Sequence, residues 1–111
     1  MVDLEKLGQE AMQIIAYSGV AKSNYIEALQ LAKRKLYKEA ADKIQEGDNV
    51  IKDAHESHME LLQKEASENT PQVSMLVLHA EDQFMSCETI KLMALEIIEL
   101  YKCLDERKEV K

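Results

Sequence analysis

Apolar residues recur along most of the chain at steps of three and four, the spacing of one face of an α-helix. Over about residues 3–34, Leu4, Leu7, Ala11, Ile14 and Ile15 open a stripe that weakens at Ser18-Gly19-Val20. It resumes with Ala21, Tyr25, Ala28, Leu29 and Ala32. Gly weakens a helix interior, so a kink is expected near Gly19. A second helix is expected over about 37–66, with Tyr37, Ala40, Ile44, Gly47, Ile51, Ala54, His58, Leu61 and Leu62 on its stripe. Gly47 lies on that stripe, which predicts a close helix crossing rather than a turn. Only a weak break separates these two segments at residues 33–36, and Lys33-Arg34-Lys35 suits a helix C-terminus, where the dipole favours cations.

Ser67-Glu68-Asn69-Thr70-Pro71 is the clearest punctuation in the chain. Thr70 reads as an N-cap and Pro71 as a first helical residue. A third helix is then expected over about 71–105, followed by a charged tail that frays. This helix carries two stripes on nearly opposite faces. One is Val73, Val77, Ala80, Phe84, Cys87, Ala94, Ile98 and Tyr101, broken only by Lys91. The other is mixed: Met75, His79, Asp82, Ser86, Thr89, Met93, Glu96 and Leu100. Both step as coiled-coil seams do. The apolar seam suits the other helices of the same chain, and the mixed seam suits further copies of it. The fold class expected is all-α: an antiparallel three-helix bundle, one domain over residues 1–111, assembling as a closed homo-oligomer.

Composition narrows the picture. With 111 residues, 3 Gly, 1 Pro, no Trp and 5% aromatics, a β-sandwich is excluded as the expectation. A formal net charge of -7 and the absence of a basic stripe with interleaved aromatics argue against nucleic acid as a partner. No stretch approaches the ~20 apolar residues that span a bilayer. The start, Met-Val-Asp-Leu-Glu-Lys, lacks the regions of a signal peptide. Cys87 and Cys103 lie about 24 Å apart along one helix, too far to bridge within a chain. Two unpaired thiols fit a reducing cytoplasm, and both are read as small buried hydrophobes.

The candidate chemistry sits in Met75–Met85, where His79, Glu81, Asp82 and Gln83 interrupt an apolar run. On the residues alone, His79 has two readings. It fills a polar hole in a seam and sets register, or it acts as a nucleophile, since an imidazole titrating at about 6.5 is largely neutral at cellular pH. Asp82, one turn on, lies at a solvated rim or, in an assembly, converges with its copies on an axis. His55 and His58 read as packing or rim histidines, and no third ligand for a metal on that pair is evident. Met75, Phe84, Met85 and Met93 read as core and seam, with the further option of an adaptable apolar rim around His79.

His79-Ala80-Glu81-Asp82-Gln83-Phe84-Met85 resembles the His-Ala-Gln-Asp-His-Leu-Met motif of the lactose/cellobiose-type IIA components of the bacterial sugar phosphotransferase system. Ala16–Ser23, Glu27-Ala28-Leu29, Ala54-His55, Glu65-Ala66-Ser67 and Ile98–Tyr101 resemble other parts of that family at matching spacings. The resemblance implies a homotrimer of three-helix bundles in the cytoplasm. It implies that His79 receives phosphate from the histidine phosphocarrier protein and passes it to a cysteine of a cognate IIB component. Neither Cys87 nor Cys103 is that cysteine. The sugars implied are of the cellobiose, lactose and chitobiose type. Asp82 maps to the family's metal-binding aspartate, implying one structural Mg²⁺ at the trimer axis. Two positions depart from the motif: Glu81 stands for Gln and Gln83 for a second His. Glu81 is read as a rim residue beside the site, where an ionised carboxylate would repel an incoming phosphate. A non-catalytic helical adaptor that has lost transfer is the alternative function.

Overall fold

The computed structural model describes residues 2–110. They form three helices, α1 (Leu4–Lys33), α2 (Tyr37–Glu68) and α3 (Met75–Val110), with no strand among the described residues. The buried positions of α1 are Leu7, Ala11, Ile14, Ser18, Ala21, Tyr25, Ala28 and Ala32, an unbroken alternation of fours and threes. The helix therefore runs through Gly19 without the expected break. Ser18 carries the stripe past it, at 1% exposure. In α2 the fully covered positions fall every seventh residue, at Ala40, Gly47, Ala54 and Leu61. Small residues on both stripes let the helices approach closely.

Three core clusters fix the directions of the helices. Leu7, Ala11 and Ile14 of α1 meet Ala54 and Leu61 of α2 and Val77, Ala80 and Phe84 of α3. Tyr25 and Ala21 meet Cys87 and Ala94 midway. Ala28 and Ala32 meet Ala40 and Ile98 at the other end. Thus α2 runs antiparallel to the other two, and the bundle is a rod of 67 × 19 × 18 Å. Helix α1 is the common partner. Helices α2 and α3 each pack along it and touch each other little, which leaves a groove of about 460 Å³ between them with Tyr25 and Cys87 among its lining residues.

The links obey terminus chemistry. Asp3 caps α1 by accepting from the Glu5 and Lys6 backbone N–H groups at 3.1 Å. At its other end the Leu36 N–H donates to the Leu31 carbonyl and the Lys35 N–H to the Ala32 carbonyl, both at 2.9 Å. This is a Schellman closure, with Lys35 held at φ 64° where glycine is usual. Helix α2 ends at Asn69, also left-handed, at φ 50°. The expected N-cap at Thr70 is not used. Thr70 Oγ1 donates back to the Glu68 carbonyl, and Glu65 Oε1 accepts from the Gln72 N–H, so residues 71–74 stay outside the helix. Ser74 takes the cap instead, its Oγ accepting from the Val77 N–H at 3.1 Å. The far end also differs from expectation. Helix α3 continues to Val110, since no Gly or Pro stops it. It is held alongside the bundle by the Tyr37 hydroxyl, which donates to Asp105. That hydrogen bond, more than desolvation, pushes the Tyr37 phenol up to about 12.

Candidate phosphoryl site

The two seams of α3 separate, except that Val73, expected on the apolar seam, is 54% exposed in the segment before the helix and Tyr101 is half-buried. Val77, Ala80, Phe84, Cys87, Ala94 and Ile98 are buried against the rest of the chain. On the other face Met75, His79, Asp82, Thr89, Met93, Glu96 and Leu100 are all exposed, and Ser86 is half-buried. Met75 is 82% exposed and Met93 and Leu100 more than half exposed. Exposed Met and Leu side chains spaced along one mixed face are what an interaction surface carries. His79 thus projects from a rigid helix, open to an incoming group, with Asp82 one turn further on. No acid, base or thiol from α1 or α2 is seen paired with either.

Lys91, the break in the apolar seam, has a structural reason that spacing did not disclose. Its Nζ lies 2.8 Å from Asp48 Oδ1, and that oxygen also accepts from the Tyr25 hydroxyl at 2.7 Å. One carboxylate thereby ties all three helices together. The Tyr25 phenol is shifted well above its ordinary range, by burial first and by the Asp48 hydrogen bond second. Gly47 makes room for the ring: a Cβ there would stand 2.6 Å from Tyr25 Cε1. The close crossing expected at Gly47 is therefore a helix-to-ring contact. Cys87 is buried as expected, and burial pushes its thiol up to about 11. Cys103 is instead exposed, because it lies about half a turn round α3 from the Tyr101 seam position.

The histidines of α2 sort differently. His55 is exposed, whereas His58 stacks on Phe84 with ring centroids 5.0 Å apart and planes inclined by 24°. Glu81 does not sit beside His79. Two residues apart on a helix is about 200° of rotation, and Glu81 faces α2, with its Oε2 2.5 Å from His58 Nδ1. The contact is close but not an aligned hydrogen bond, and His58 Nδ1 is buried without a hydrogen-bond partner among the described residues. The reading of Glu81 as a rim residue of the site is corrected accordingly. Its cross-helix partner depended on how α2 and α3 align, which motif spacing does not carry.

The description of the lactose/cellobiose-specific IIA subunit of the phosphotransferase system matches residues 9–102. The chain belongs to the lactose/cellobiose IIA family. It is 36% identical over 104 residues to the lichenan-specific phosphotransferase enzyme IIA component of Bacillus subtilis, covering 94% of both chains. It is also 36% identical over 90 residues to the lactose-specific EIIA component of Streptococcus mutans, covering 81% of this chain and 86% of that one. Among solved structures, the cellobiose-specific enzyme IIA of Bacillus anthracis superposes with a TM-score of 0.87 at 37% identity, covering 96% and 95% of the two chains. The IIA(chitobiose)–HPr complex of Escherichia coli gives 0.78 at 27% identity, covering 95% and 99%. The chain is therefore a IIA component of a cellobiose/lactose-type system, and no helix among its described residues is long and apolar enough to cross a membrane.

A metal is a separate question for this IIA chain. Among the described residues no group of three or more His, Cys, Asp or Glu side chains is placed to hold an ion. The Asp82 carboxylate stands alone on its part of the uncovered face, with that of Glu96 about 21 Å further along α3. It fits a cation only if further copies bring their own carboxylates to it.

Proposed function

We propose that this IIA component is a phosphohistidine carrier, a single helical domain in the cytoplasm that accepts a phosphoryl group on His79. The observation that carries the reading is the exposure of His79 on the uncovered face of a rigid helix, within the motif. The donor is the histidine phosphocarrier protein. The lone pair of the neutral His79 imidazole attacks phosphorus as the N–P bond of the donor's phosphohistidine breaks, and the donor's imidazole leaves with that electron pair. In the second step a thiolate on the cognate IIB component attacks, an S–P bond forms, and His79 returns to neutral imidazole. No nucleotide is needed. The chain's own contribution is orientation, since a histidine fixed on a helix presents one ring nitrogen in line. The sugars served are of the cellobiose, lactose or chitobiose type.

The working form is a homotrimer. The apolar positions Met75, Met93 and Leu100 are left uncovered by α1 and α2, and a threefold axis along this face would bury them. The same axis would gather three Asp82 carboxylates. Such a cluster repels itself unless protonated or neutralised, and oxygen ligands completed by water suit Mg²⁺. That ion would supply charge neutralisation at the axis.

Intact mass after incubation with phosphoenolpyruvate and the two general phosphotransferase proteins, kept alkaline to preserve phosphohistidine, tests the carrier. The expected result is one added phosphoryl per chain, lost in His79→Ala with helical content retained. No gain in the wild-type chain would refute the carrier and favour the non-catalytic adaptor, the reading that Glu81 and Gln83 would then mark.

A further inference from the structure

We infer that Lys22 of one copy pairs with Glu88 of the next, and that this pair fixes which flanks of α3 meet in the oligomer. The inference rests on the homotrimer reading above and deepens it. On the uncovered face of α3, Met75, Asp82, Thr89 and Glu96 recur at every seventh residue, and all four are exposed. They form a line pointing away from the buried stripe, and a threefold axis would run along that line. Its two flanks differ. On one, Leu78, Met85 and Leu92 are 56%, 62% and 65% exposed. Glu88, also exposed, belongs to this flank and borders the groove against α2. The other flank carries His79 and Ser86 and adjoins α1. There Lys22 lines a shallow recess with Ser86, Thr89 and Ile90, and both Lys22 and Ser86 are half-buried.

Neither charge is used within its own chain. The ion pairs among the described residues take Lys35, Lys43, His58, Lys91 and Lys102 as their cations, and Glu88 is the acid in none of them. The two charges also stand at one height. Ser86, beside Lys22, and Glu88 are two residues apart, about 3 Å along the helix and about 200° round it. Rotation about an axis along α3 moves no residue along that axis. In a closed ring each copy's Lys22 flank therefore meets the next copy's Glu88 flank at the same level. A positive edge meets a negative edge at every contact of the ring. Leu78, Met85 and Leu92 supply apolar area, and the flanking charges set orientation and register, as they do beside a coiled-coil seam. His79 shares the flank of Lys22, so the pair also decides that the Leu78 flank of the next copy stands beside the phosphoryl site.

The test is sedimentation velocity of wild type, Lys22→Glu, Glu88→Lys and the double variant over a range of chain concentrations, with helical content checked by circular dichroism. Each single reversal makes every contact of the ring repulsive. The concentration at half-dissociation should then rise at least about ten-fold, since modest losses at three contacts add. The double variant restores opposite charges with their signs exchanged, and it should return to within about three-fold of wild type. If a reversed variant fails to fold, the neutral pair Lys22→Gln with Glu88→Gln takes its place. That pair should lose the weakening by salt that the wild-type oligomer shows. A single reversal that dissociates like wild type overturns the inference. So does a double variant as weak as the singles, which would mean that the two charges meet other groups, and so does a neutral pair with the salt dependence of wild type. A wild-type chain that stays monomeric at every concentration would instead sink the homotrimer reading, which separates that failure from the others.

Discussion

Gly47→Ala should destabilise the protein although alanine is the better helix former. A Cβ at position 47 would stand 2.6, 2.9 and 3.0 Å from Tyr25 Cε1, Cζ and Cδ1. Carbon atoms prefer about 3.5–4.0 Å, so the ring must retreat by roughly 1 Å. It has little room: Tyr25 is fully buried and its hydroxyl is tied to Asp48. Overpacking of this kind costs about 1–3 kcal/mol. Displacing the ring also weakens a hydrogen bond to a charged acceptor, worth about 1.5–3 kcal/mol. Against these stands a gain of about 1 kcal/mol from replacing Gly in a helix. The net expectation is a loss of about 1.5–5 kcal/mol. Urea unfolding followed by far-UV circular dichroism measures it, at matched chain concentration because assembly shifts the midpoint. In a Tyr25→Phe background the hydroxyl is already gone, so the cost should shrink toward the steric part. A neutral or stabilising Gly47→Ala would refute the reasoning, since it would mean that the ring moves freely.

Three other outcomes follow from the same physics. Lys35→Gly should stabilise the chain by about 0.5–1 kcal/mol, because Lys35 occupies a left-handed turn position at φ 64° and loses only a weak surface ion pair to Asp105 at 3.8 Å; thermal unfolding checks it. Cys87 contributes stability that is present below pH 9 and lost as pH rises toward about 11, because burial raises its folded thiol above the ordinary value of 9.0. The decline in thermal midpoint across that window should therefore be shallower in Cys87→Ala. Asp82→Leu should abolish stoichiometric Mg²⁺ measured by elemental analysis of the oligomer, and metal retained in the variant would exclude this ligand.

The helices and the faces they bury were legible in the sequence because both follow from a local period. The alternation of threes and fours from Val77 to Ile98 marks the buried face of α3. The same rule set His79 and Asp82 apart on the uncovered face, and the motif around them gave the family. The sequence also located the α1–α2 link at Lys33–Leu36. It misplaced the start of α3, because Thr70-Pro71 and Ser74 are both competent caps and only the hydrogen bonds from Thr70 to the Glu68 carbonyl and from the Gln72 N–H to Glu65 decided between them.

What the tertiary structure alone decided is which side chains meet across helices. Lys91 looked like a defect in a seam until Asp48 and Tyr25 came to it from the other two helices. Glu81 looked like a neighbour of His79 until α2 brought His58 against it. The physical reason is common to both cases. Spacing within a helix specifies a face, but the partner on that face depends on the axial register of one helix against another. That register is set by the whole packed interface, down to the space left by Gly47 for the ring of Tyr25.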